Sequence, residues 1–72
     1  MTNLYTTIIA EGLQVDIEDA SLIQTFINYW LADYFRWGSS TVQQIIDKAK
    51  QAQKMIADPA YASMVEFVKV NA

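Results

Sequence analysis

The chain has no cysteine and no histidine among its 72 residues. The first absence excludes disulfides. Together they remove the usual zinc ligand sets and the commonest catalytic thiols and imidazoles. With one proline and two glycines, breaks between segments are few. No apolar run is long enough to cross a bilayer: the greasiest stretch, Leu22 to Trp37, is interrupted by Gln24, Asn28, Asp33 and Arg36. The first residues lack the basic-then-apolar pattern of a secretory signal, so the expected compartment is the cytoplasm. There is no GxSxG turn and no glycine-rich phosphate loop, and we expect no enzyme and no cofactor.

Basic residues are also scarce, five against eight acidic ones, for a net charge of −3. The imbalance is local. Glu11, Asp16, Glu18 and Asp19 fall in the first nineteen residues without a lysine or arginine, while the remainder is nearly neutral. Such a balance argues against tight non-specific nucleic-acid binding, which needs many phosphate-neutralising side chains. Asp16, Glu18 and Asp19 lack the spacing of a calcium loop, and they fit helix capping better than a metal site.

What the chain does have is apolar mass. Hydrophobic residues make up 53%, and six of its nine aromatics fall between Phe26 and Trp37. A domain of this length buries only about 60–65% of the surface its unfolded chain exposes. Without disulfides or metal, stability must come from tight packing or from assembly. We read residues 1–72 as a single helical domain.

Gly12, Gly38-Ser39-Ser40 and Asp58-Pro59 divide the chain into four segments. The first is open between two forms. As a helix, Asn3 caps it and Gly12 takes a left-handed C′ position. As a β-hairpin, Leu4 to Ile9 pairs with Leu13, Val15 and Ile17 across a turn at Glu11-Gly12. The second segment reads as a long helix, about 17–37, capped by Asp16 with Asp19 at the third position. Ile23, Phe26, Ile27, Trp30, Tyr34 and Trp37 share its main face, leaving Thr25, Asn28, Ala32 and Arg36 for solvent.

The third helix, about 40–57, opens on the capping-box signature Ser40-Thr41-Val42-Gln43. Val42, Ile45, Ala49, Ala52 and Ile56 form its apolar stripe. With so short a turn it should return antiparallel against the aromatic helix, large Phe26 and Trp30 over small Ala49 and Ala52. In the fourth segment Asp58 caps and Pro59 sits at the first helical position, where its missing N–H does no harm. Tyr61, Met64, Val65 and Val68 share a helical face there. The tail Val65 to Val70 also has strand propensity. The fold class is therefore mostly α: an antiparallel helix pair with a short N-terminal element, helix or β-hairpin, and a C-terminal helix.

Two short patterns resemble known families. Asp19-Ala20-Ser21-Leu22 at a helix start is similar to the Asp-Ser-Leu motif of acyl carrier proteins, whose serine bears the phosphopantetheine arm. Here an alanine intervenes, and only twenty residues precede the serine. The stretch Leu31 to Ile46 resembles the helix-turn-helix pattern, with Ala32, Trp37, Val42 and Ile45 at its small and apolar positions. That resemblance implies a second helix whose Ser39, Ser40, Thr41, Gln43, Gln44 and Lys48 face DNA, a glutamine reading adenine. Arg36 stands where the pattern has glycine, and the preceding helix is about twice the usual length.

The aromatic surplus points elsewhere. Phe26, Trp30 and Trp37 are expected in the core. Tyr29, Tyr34 and Phe35, with Leu22 and Leu31 beside them, are expected at a protein interface. The expected function is a non-enzymatic protein-binding module: an adaptor, an assembly subunit, or a small inhibitor of the kind phages encode against host proteins. Its partner would be another protein or a second copy, with no membrane involved. The alternative is a small helix-turn-helix DNA-binding regulator.

Overall fold

The computed structural model describes residues 4–31 and 41–71. Its elements are α1 (Leu4–Leu13), α2 (Ile17–Phe26), a π turn (Ile27–Leu31), α3 (Val42–Ala57), a 3₁₀ turn (Pro59–Tyr61) and α4 (Ala62–Asn71). No strand occurs among the described residues. The choice left open for the N-terminal segment therefore falls to a helix, and the C-terminal tail is helical through Asn71.

Gly12 does not end α1 in the expected way. The left-handed residue is Gln14, at φ 57°, and the Val15 N–H donates to the Ala10 carbonyl at 3.1 Å. This is the six-to-one bond of a Schellman ending, displaced two residues beyond the glycine. Gly12 serves packing instead. A Cβ there would sit 2.6 Å from Cγ1 and 2.8 Å from Cδ1 of Ile46, so its missing side chain is what lets α1 approach α3.

Asp16 caps α2 as expected, its carboxylate accepting from the Asp19 N–H at 2.9 Å. The next helix starts one residue later than its sequence suggests. Thr41, not Ser40, is the cap of α3. Its hydroxyl accepts from the Gln44 N–H at 3.2 Å, while the Gln44 side-chain oxygen accepts from the Thr41 N–H at 2.9 Å. Both Ser40–Gln43 and Thr41–Gln44 satisfy the same signature, so spacing could not separate them. Asp58 closes α3 and opens the 3₁₀ turn. Its N–H donates to the Met55 carbonyl at 3.1 Å, and its carboxylate accepts from the Ala60 N–H at 2.9 Å.

One core joins the helices: Ile9 from α1; Ala20, Ile23 and Phe26 from α2; Ile27 and Leu31 from the π turn; Ile45, Ala49 and Ala52 from α3; Val65 and Val68 from α4. The expected Ile45, Ala49, Ala52 stripe is buried, whereas Val42 is exposed because core contact begins a turn later. α1 packs on both α2 and α3, and α4 packs on α2. Two polar side chains also go inside. The Thr6 hydroxyl donates to the Gln24 side-chain oxygen, joining α1 to α2 across the core.

Candidate functional site

The π turn decides which aromatic side chains reach the surface. Closing a turn with i→i+5 rather than i→i+4 bonds slows the angular advance per residue. In an unbroken α-helix Trp30 follows Phe26 and Ile27 around the core-facing side. With the turn widened, Leu31 becomes the residue that continues that face, and it is buried. Trp30 rotates toward solvent and remains 38% exposed. Two expectations are thereby corrected: Trp30 leaves the core, and Leu31 leaves the proposed interface.

The displaced rings meet α4. Phe67 stands edge-on to Tyr29 (centroids 5.4 Å apart, planes at 85°) and to Trp30 (5.4 Å, 62°). Both geometries suit the aromatic quadrupole, which favours a ring edge against a neighbouring face. The Tyr29 hydroxyl donates to the Asn71 carbonyl at 3.1 Å, tying the π turn to the end of α4. Yet Tyr29 and Phe67 remain 45% and 43% exposed, and neighbouring Val70 is 73% exposed. The result is an ordered apolar surface of Tyr29, Trp30, Phe67 and Val70.

The other sequence-derived candidates scatter. Leu22 is half-buried and lines a separate cleft of about 190 Å³ with Val15, Asp19, Ile23, Gln53, Ile56 and Ala57. Tyr34 and Phe35 lie outside the described residues, as do Ser39 and Ser40. The remaining residues of the helix-turn-helix reading are engaged within α3. Thr41 and Gln44 cap the helix, the Gln43 amide donates to Asp47 at 2.9 Å, and the Lys48 ammonium donates to Gln51 at 3.4 Å.

Phe67 was the residue that sequence reasoning passed over. It lies in a run that also reads as strand, and nothing in its spacing ties it to Tyr29 or Trp30. Its signal was the place of a large ring beside the Val65 and Val68 face, where it adjoins the core without entering it.

Among the described residues, no group of three or more acidic side chains is arranged to hold a metal ion. None of their helices is long and apolar enough to cross a membrane. No protein-family model, curated protein or solved structure matches the chain.

Proposed function

We propose that the protein is a non-enzymatic protein-binding module whose contact surface is Tyr29, Trp30, Phe67 and Val70. The observation that carries this reading is the pair of edge-to-face contacts holding three half-exposed rings in place at the junction of the π turn and α4. Tyrosine and tryptophan dominate interface hot spots, because they bury much area and lose little side-chain freedom. Here that freedom is already restricted before any partner arrives, which lowers the cost of binding. π turns also occur disproportionately at functional sites. The acidic start of α2, remote from this surface along the helix, supports a role in orienting a foreign partner during encounter rather than in the contact itself.

The test is capture of partners from a native lysate by tagged protein, with and without nuclease. The wild type is compared with Phe67→Ser and with Val42→Ser, which removes an exposed apolar residue elsewhere. The reading expects stoichiometric capture that survives nuclease, persists in Val42→Ser and disappears in Phe67→Ser. Capture indifferent to Phe67 would overturn it. Material that vanishes with nuclease would transfer the assignment to the DNA-binding alternative, cytoplasmic in either case.

A further inference from the structure

We infer that the occupant of the aromatic surface is a second copy of this chain, paired about a two-fold axis perpendicular to α4. The inference rests on the reading of that surface as an interface and adds who fills it. Three observations carry it. The first is charge. The carboxylates Asp16, Glu18 and Asp19 open α2, while Tyr29 and Trp30 lie ten or more residues further on, about 15–20 Å along the axis. Among the described residues, one acid and one base stand on α4 beside the patch, Glu66 and Lys69, both exposed. A neutral surface is poorly suited to a strongly charged partner, and it does not repel its own copy.

The second observation is the order of those charges. At about 100° per residue, Phe67 and Val70 point within about 60° of each other, and exposed Ser63 lies between them. Glu66 and Lys69 both lie on the flank beyond Val70. In an isologous contact residue i of one copy meets residue j of the other, and j meets i. Two α4 helices running antiparallel therefore set Phe67 against Val70 and Glu66 against Lys69, twice over. The small Ser63 leaves the helices room to approach.

The third is extent. Four partly exposed apolar side chains make a small patch, in the class of interfaces below about 1,200 Å² in total, which are weak and reversible. Concentration therefore sets the state of the protein.

The decisive experiment is sedimentation equilibrium from about 1 µM to 1 mM, with circular dichroism to check folding. The wild type should dimerise reversibly within that range. Glu66→Lys or Lys69→Glu alone places like charges opposite each other and should weaken the dimer at least about tenfold. An equimolar mixture of the two variants should recover association, because each then supplies the sign that the other lacks. Wild-type protein monomeric throughout overturns self-pairing and leaves the aromatic surface to a foreign partner, judged by the Phe67→Ser capture. A dimer that neither reversal nor Phe67→Ser weakens overturns this face as the interface.

Discussion

Two of the seams between the helices of this protein are built from opposite materials. Between α1 and α3, Gly12 meets Ile46 so closely that a single methyl group has no room. Ala49 and Ala52 line the fully buried face of α3. Between α2 with its π turn and α4, the contact consists of large rings touching edge to face, nearly half of each left in water. Small residues close a seam because they let backbones approach. Large residues at the margin of a core cannot all be covered by a chain this short. The comparison teaches that aromatic content by itself does not mark the centre of a small domain; here the centre relies on alanine, leucine and β-branched residues around one phenylalanine.

The largest effect should come from that phenylalanine. Phe26→Ala removes the bulkiest fully buried side chain and should cost about 3–5 kcal/mol. The whole domain is worth on the order of 4–10 kcal/mol, so urea titration should find the variant barely folded. Next is the tight seam. Gly12→Ala improves helix propensity by about 1 kcal/mol, yet the overpacking against Ile46 should leave it about 1–2 kcal/mol less stable. Combining it with Ile46→Val should recover part of the loss; a Gly12→Ala variant more stable than the wild type would refute the close approach.

The buried polar pair is a finer probe. Thr6→Val leaves the Gln24 side chain short of a partner inside the core and should cost about 1–3 kcal/mol in thermal or chemical denaturation. Thr6→Val with Gln24→Leu should cost less than Thr6→Val alone, since neither polar group remains to be satisfied. At the open seam, Val70→Ser should change stability by less than about 0.5 kcal/mol while weakening association. A substitution that moves binding without moving the melting temperature separates a surface from a core.

The sequence carried the parts of this architecture that depend on local chemistry. Asp16 announces a helix start because its carboxylate reaches the N–H three residues on, and Asp58-Pro59 announces another. The stripe from Ile45 to Ala52 has only one period that fits it. The capping box was legible as a motif but not to the residue, since serine and threonine stand side by side, each with a glutamine three positions on. The π turn was not legible. Ile27-Asn28-Tyr29-Trp30-Leu31 has no residue that demands a wider turn, and the choice between burying Trp30 or Leu31 is made by the shape of the space between helices. The burial of Gln24 was not legible for a related reason: a glutamine inside is tolerable only with a partner, and Thr6 lies eighteen positions away. The aromatic surface inherits both difficulties, since it needs the π turn to aim two of its rings and α4 to supply the third.

The junction at Asp58 has a consequence for anyone who would cut, lengthen or permute this chain. One residue both terminates α3 and begins the 3₁₀ turn, and its carbonyl accepts from the Tyr61 N–H at 3.0 Å as well. There is no linker there to absorb an inserted residue or a new pair of termini. The Asp58 N–H and carbonyl are both hydrogen-bonded, and backbone bonding rather than position along the chain governs tolerance. An added residue would turn α4 about its axis and swing Phe67 away from both rings it touches. A reporter or an affinity label inserted at this corner would therefore report on a protein with a different face.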